Sequence, residues 1–133
     1  MAFATTGEKK LIDCFTGEAS AAEYWVGLVT DSGGLTEVTG TSYARVSVGA
    51  AGSSFDAATG SAPTCEAVNA SEVSFPESGG AWNSGSAISY AGLYDAASAG
   101  NLLAVITLSS SVTVSAAGQT VKFAAGALTI SVT

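Results

Sequence analysis

The sequence predicts a mainly β protein: an antiparallel, jelly-roll-like β-sandwich with one short helix at the N-terminus. Many short segments alternate apolar and polar side chains with the period of two typical of strands, and turn-forming residues separate them at about the spacing found in sandwiches. The length of 133 residues suits a single core. We therefore expect an N-terminal arm over residues 1–18 and one β domain over residues 19–133.

The first segment has the pattern of an amphipathic helix over residues 6–16. Thr5 and Glu8 fit a capping box at its start, and Gly17 is a typical residue at a helix end. The apolar side chains that would form one stripe are Leu11, Ile12 and Phe15. Because so short a helix is marginal in water, we expect the stripe to pack on the β domain or on another chain.

The first predicted strands follow a change of period at residue 24. Residues 24–30 are apolar at nearly every position, which is typical of a central strand, and turn formers over residues 31–34 end it. Residues 43–48 alternate, so one face of that strand is expected to meet water or a partner. The small residues over 49–63, arranged around Phe55, predict a loop or an arm.

The second half of the chain predicts further short strands. Residues 65–75 supply one or two of them and end at Pro76, before a Gly- and Ser-rich stretch that leads to Trp82. Residues 87–94 and 102–108 predict a pair of strands joined by a hairpin-length link. The last predicted strands are residues 112–114, 121–123 and 128–133, with turns near Gly118 and Gly126.

Composition and charge exclude several functional classes. Four Lys and Arg against 11 Asp and Glu give a net charge of −7, which disfavours binding to nucleic acid. The chain has no histidine, and histidine is the commonest general base and a common zinc ligand. No stretch approaches the roughly 20 apolar residues of a membrane span, and the charged first segment does not fit a signal peptide. We expect no membrane interaction and no enzymatic activity.

The remaining candidates for chemistry have simpler structural interpretations. Cys14 and Cys65 lack the company of a metal motif, although one disulfide between them stays possible, and we expect no cofactor or metal. The carboxylates are in no motif for acid–base catalysis, so we expect solvated turn and edge residues: Asp31, Glu37, Asp56, Glu66, Glu72, Glu77 and Asp95. The tripeptide at Asn69 matches a glycosylation sequon, which is common by chance.

A few aromatic and cationic residues are candidates for contacts with partners. Trp25 and Tyr90 lie in apolar strands and favour a core position, whereas Trp82 could be either core or an exposed platform for carbohydrate or protein. Arg45 and Lys122 are rare cations in an acidic chain. They could pair with carboxylates within or between subunits, or form surface pairs of little consequence.

Several of these segments together resemble small virion proteins of tailed bacteriophages. The similarity covers most of the chain, in residues 8–15, 24–31, 36–45, 73–82, 91–104 and 112–130. Such proteins are commonly labelled tail-fibre-like, and similar β-sandwich chains serve as capsid decoration or cement subunits. The resemblance therefore implies a structural protein of the virion, made in the host cytoplasm, without a catalytic residue.

The leading functional expectation is a decoration or cement protein on the outer capsid surface. It would bind the major capsid protein and copies of itself, as a dimer or trimer, through residues 1–15 or 49–63. The candidate interface residues are Leu11, Ile12, Phe15, Phe55, Trp82 and Arg45. The alternative is a tail- or head-fibre-like protein that adsorbs to host-surface glycan through aromatics such as Trp82, although the chain has no repetitive shaft.

Overall fold

The computed structural model describes residues 2–3, 23–33, 36–50, 54–61 and 64–132, and shows a mainly β protein. Its strands are β1 (Ala2–Phe3), β2 (Glu23–Val29), β3 (Val46–Ala50), β4 (Thr59–Ser61), β5 (Thr64–Val68), β6 (Val73–Ser74), β7 (Ile88–Tyr94), β8 (Leu102–Val112), β9 (Lys122–Phe123) and β10 (Thr129–Val132). One short 3₁₀ turn covers Asn83–Gly85. The described part of the chain contains no helix long and apolar enough to cross a membrane.

The largest sheet has five antiparallel strands in the order β1-β8-β7-β2-β3. The prediction of a central strand is confirmed by β2, which pairs with β7 on one side and β3 on the other. Its continuous apolar sequence fits this place, since a strand with neighbours on both sides and both faces covered has little contact with water. The predicted hairpin pair is confirmed by β7 and β8.

Two smaller antiparallel sheets complete the domain, one with the order β10-β5-β4 and one formed by β6 and β9. β6 lies beside β3 and β10 lies beside β8, so each of the smaller sheets contacts the large one. The main core joins buried side chains from the three sheets and their connections: Val26, Leu28, Val38, Val73, Phe75, Trp82, Ile88, Ala91, Leu93, Ala104, Ile106, Leu108, Val114, Val121, Phe123 and Leu128. The sandwich prediction is confirmed, while a jelly-roll connectivity stays a prediction.

The N-terminal predictions have a different outcome. The helix expected over residues 6–16 lies outside the described residues, as do Cys14 and the stripe of Leu11, Ile12 and Phe15. The two described residues of the expected arm, Ala2 and Phe3, form a strand that pairs with Val105 and Ala104 of β8. This part of the arm is therefore an edge of the large sheet.

Three predicted boundaries were wrong. The separate strand expected over residues 112–114 is instead the end of β8, which runs to Val112. The strand expected over residues 43–48 starts only at Val46, because the preceding residues turn across the edge of β2. The loop expected over 49–63 is partly strand: β4 pairs with β5, and Phe55 forms a bridge with Asn69. The turns expected near Gly118 and Gly126 are confirmed, and both glycines have a φ of +81°, which favours glycine.

The sheets differ in burial. In the three-stranded sheet the side chains described for β4, β5 and β10 are all half-buried or exposed. In the five-stranded sheet, β2, β7 and β8 each have a run of four consecutive buried residues. The hydrophobic stabilisation of the domain is therefore concentrated in the large sheet.

Candidate functional site: an arginine cluster on the outer sheet face

The five-stranded sheet carries apolar side chains on both faces. The inner face contributes to the main core, whereas the outer face has a separate apolar cluster in which Val29, Tyr94 and Val105 are buried. Three further members of this outer cluster are only partly buried: Trp25, Tyr90 and Leu102. Alternate residues of β2 pack in different clusters, one on each face of the sheet, and nearly every position of the strand is therefore apolar.

Two glycines form a flat floor on this outer face. Gly27 of β2 and Gly92 of β7 are directly paired. A Cβ on Gly92 would lie 2.8 Å from Cε2 of Tyr94, and a Cβ on Gly27 would lie 3.0 Å from the same atom. The absence of side chains at both positions therefore lets the Tyr94 ring lie close against the sheet.

The guanidinium group of Arg45 covers the Tyr94 ring, with Cζ 3.5 Å from the ring centroid. Nε and Nη2 of Arg45 donate to the two carboxylate oxygens of Glu37, at 2.9 and 2.8 Å. Nη1 donates to the carbonyl oxygens of Ala96 and Ala99, at 2.8 and 2.7 Å. One side chain thus ties the strand edge near β3 to the tip of the β7–β8 hairpin.

Tyr43 connects this group of residues to the main core. Its hydroxyl donates to Oε1 of Glu37 and accepts from the backbone N–H of Leu28, both at 2.8 Å. Its ring meets the Trp82 ring edge-on, with centroids 5.3 Å apart. We call Glu37, Tyr43, Arg45 and Tyr94 the Arg45 cluster.

Burial and charge shift the ionisation of the cluster. Burial raises the pKa of Tyr43 far above its usual value of 10.0, and the charge and hydrogen bond of Glu37 act in the same direction. Burial, with a further contribution from the Glu37 charge, raises the pKa of Tyr94 to about 12. Burial opposes the Arg45 charge, but the hydrogen bonds and charge of Glu37 outweigh it and raise the pKa of Arg45. Both tyrosines are therefore protonated at neutral pH.

The groups of the Arg45 cluster bond to one another and to the backbone rather than pointing into an open site. Only 8% of the Arg45 side chain is exposed, against 28% for Glu37. Within the described residues, no buried side-chain nitrogen or oxygen lacks a hydrogen-bond partner, and no group of three or more His, Cys, Asp or Glu is placed to hold a metal ion. Such an arrangement can fix the positions of strands and loops, which is a structural task.

The structure separates the residues predicted to form an interface. Arg45 pairs with Glu37 of its own chain, and pairing within a subunit was one of the alternatives predicted. Trp82 has no exposed surface; its Nε1 donates to the carbonyl of Thr41 at 3.0 Å, and a Cβ on Gly40 would overlap its ring. The Gly-rich surroundings that suggested an exposed loop thus allow close packing, and a surface platform at Trp82 is corrected to a core position. Phe55 is half-buried against the main core.

Sequence reasoning missed Glu37 and the two floor glycines. The sequence predicts a solvated turn or edge residue at Glu37, because nothing in its immediate neighbours indicates that Arg45 will reach it. A signal did exist at Gly27 and Gly92, since an isolated glycine within an apolar strand often marks the close approach of another group. The sequon residue Asn69 is also structural: its side chain is bonded to the backbone of Ser71, Ala124 and Leu128.

The comparison with known families settles the broad class of the protein. Residues 2–131 match the family model described as podophage GP4 fiber I protein gp80. The chain belongs to this family. It is therefore a structural protein of the bacteriophage virion, as the resemblance of its segments implied. No curated protein matches the chain.

Proposed function

We propose that this member of the fibre family is a structural subunit of a podophage virion fibre and serves adsorption to the host surface. The observation that carries the proposal is the extent of the family match, which runs over residues 2–131. This range includes both the five-stranded and the three-stranded sheet. The description as a fibre protein therefore applies to the whole domain and not to one appended segment.

The Arg45 cluster supports a structural role and not a catalytic one. The guanidinium group of Arg45 is held by a carboxylate, two carbonyl oxygens and an aromatic ring. The charged groups of this cluster are thus engaged in bonds within the chain, which suits a structural role. What the cluster supplies is a fixed hairpin tip at one end of the large sheet.

Capsid decoration, expected from the sequence, is the second candidate. A chain with only 11% charged residues has large uncharged surfaces, which suit repeated contacts on a capsid lattice as well as along a fibre. The family description names a fibre, so the fibre role takes precedence. The partner that both roles share is another copy of the chain.

A phage with an amber codon in this gene, grown in suppressing and non-suppressing hosts, tests the proposal. Particles without the chain should keep intact, DNA-filled heads, lack fibres in negative-stain images and adsorb to host cells more slowly. Particles from the suppressing host are the matched control. Normal fibres and normal adsorption, together with heads that break at a lower temperature, would contradict the fibre role and support capsid cement.

A further inference from the structure

Lys122 is a cation that its own chain uses weakly. Of the Lys and Arg residues in the described part of the chain, Arg45 is enclosed in its cluster, whereas the Lys122 side chain is 58% exposed. Nζ of Lys122 lies 3.9 Å from a carboxylate oxygen of Glu72, which is itself 56% exposed. An exposed pair at this distance contributes little, so Lys122 can pair with another carboxylate.

Lys122 stands beside a groove of about 230 Å³. Leu108, Val112, Phe123 and Ala127 give the groove apolar walls, and Ser109 and Ser110 add hydroxyl groups. The pairing of β7 with β8 shifts here: Thr107 pairs with Tyr90 and Val112 with Ile88, so residues 108–111 have no partner in β7. A bulge of this kind offers backbone N–H and C=O groups to an extended chain.

The described carboxylates differ in how readily another copy could reach them. Four of them are bonded within their own chain, namely Glu23, Asp31, Glu37 and Asp95, and Glu72 lies beside Lys122 itself. Glu66 lies in β5, with β4 and β10 on either side of it. Glu77 is exposed but lies outside the described strands. Asp56 is exposed and leads directly into β4, which lies at the edge of its sheet, so among the described carboxylates it is the one best placed to meet another copy.

The segment 56–60 has the shape and composition to enter the groove. All five of its residues, Asp-Ala-Ala-Thr-Gly, are exposed, and four of them are small and uncharged. It runs into β4, which is at the edge of its sheet and pairs only with β5 among the described strands. Natural edge strands are commonly protected by charges or proline, and residues 57–61 have neither.

We propose that segment 56–60 of one copy docks in the β8–β9 groove of the next copy, with Asp56 paired to Lys122. The docking segment and the groove belong to different sheets. After one contact forms, the first copy therefore still has a free groove and the second copy still has a free segment 56–60. Such a head-to-tail contact can repeat and generates a ring or a filament. The inference rests on the proposed fibre function, for which a repeating contact between copies is the natural arrangement. In a chain with a net charge of −7, this contact brings opposite charges together.

A charge exchange tests this contact with the purified full chain, by sedimentation velocity over a range of concentrations. Wild type should associate, and Lys122→Glu and Asp56→Lys should each weaken the association by about tenfold or more, because each places like charges together. The double variant, with both changes, should regain association because the pair is restored with reversed sign. Glu77→Lys, which makes the same charge change as Asp56→Lys at another exposed site, should associate like wild type.

Three results would overturn the contact: a wild type that stays monomeric at every concentration, single variants that associate normally, or a double variant that does not recover. Circular dichroism and thermal unfolding of each variant show whether it is folded. Recovery of association in the double variant would also show that neither single change acts by unfolding the protein. If the contact fails while amber particles still lack fibres, only this contact is wrong and the fibre function stands.

Discussion

The five-stranded and three-stranded sheets of this protein differ in how far their side chains are buried. In the large sheet, Val26 and Leu28 face the main core and Val29 faces the outer cluster, all without exposed surface. In the three-stranded sheet, no described side chain of the strands themselves is fully buried. Stability is therefore concentrated in one sheet, and the other keeps its surface and edge available for contacts.

Side-chain size accounts for the difference. β2, β7 and β8 contain aromatic and branched residues that fill the space on both faces of the sheet. β4 has only Thr, Gly and Ser, which bury little apolar area even when paired. Single substitutions should therefore have large effects in and around the large sheet and small effects in the three-stranded one.

The largest effect is expected from Trp82→Ala. Trp82 has no exposed surface and packs against the rings of Tyr43 and Phe75, so its removal leaves a cavity in the main core. The free energy of unfolding should fall by about 3–5 kcal/mol. Urea unfolding followed by circular dichroism measures it, and a loss below about 1 kcal/mol would show that this region is loosely packed.

A smaller loss is expected from Arg45→Ala, which breaks the Arg45 cluster. Its carboxylate partner and two carbonyl oxygens lose charged hydrogen bonds, at a cost of about 2–3 kcal/mol in unfolding free energy. Amides of residues 96–101 should also exchange faster with deuterium. Arg45→Lys is the matched control. It keeps the charge but not the bidentate hydrogen bond to Glu37, and its unfolding free energy should fall by less. Equal losses for both variants would mean that the charge contributes nothing.

Alkaline pH should destabilise the folded protein through the two tyrosines of the Arg45 cluster. Tyr94 has a pKa of about 12 in the folded protein against 10.0 when exposed, and the pKa of Tyr43 is raised further. The unfolded chain therefore loses these protons first, the folded state binds more protons, and the unfolding free energy falls as the pH rises through this interval. Urea unfolding between about pH 9 and pH 12 measures the fall, which should be smaller in Tyr94→Phe. A flat profile would contradict the burial of both hydroxyls.

The smallest effect is expected in the three-stranded sheet, from Ile130→Ala. Ile130 is only partly buried against the main core, so the loss should be about 1 kcal/mol, below the range for fully buried residues. Ile106→Ala, in the large sheet and 1% exposed, is the matched comparison and should lose about 2–5 kcal/mol. Similar losses at the two positions would remove the contrast between the sheets.

The sequence was most informative where a pattern is long and local. The apolar run of β2 and the link between β7 and β8 predict their strands because neighbouring residues alone determine the period and the turn. The place of Trp82 could not be predicted, since it depends on Gly40 and Thr41, some 40 residues away. The Glu37–Arg45 pair was equally hidden, because it forms only when the chain crosses the edge of β2. β4 was missed because three small residues have almost no strand signal.

The position of this domain in the particle distinguishes a fibre subunit from a capsid subunit. Cryo-electron microscopy of intact particles, with the domain marked by an antibody fragment, measures that position. A fibre subunit should give marked density along the fibres, with none spread over the faces of the capsid. Marked density distributed over the capsid lattice, with unmarked fibres, would contradict the fibre role.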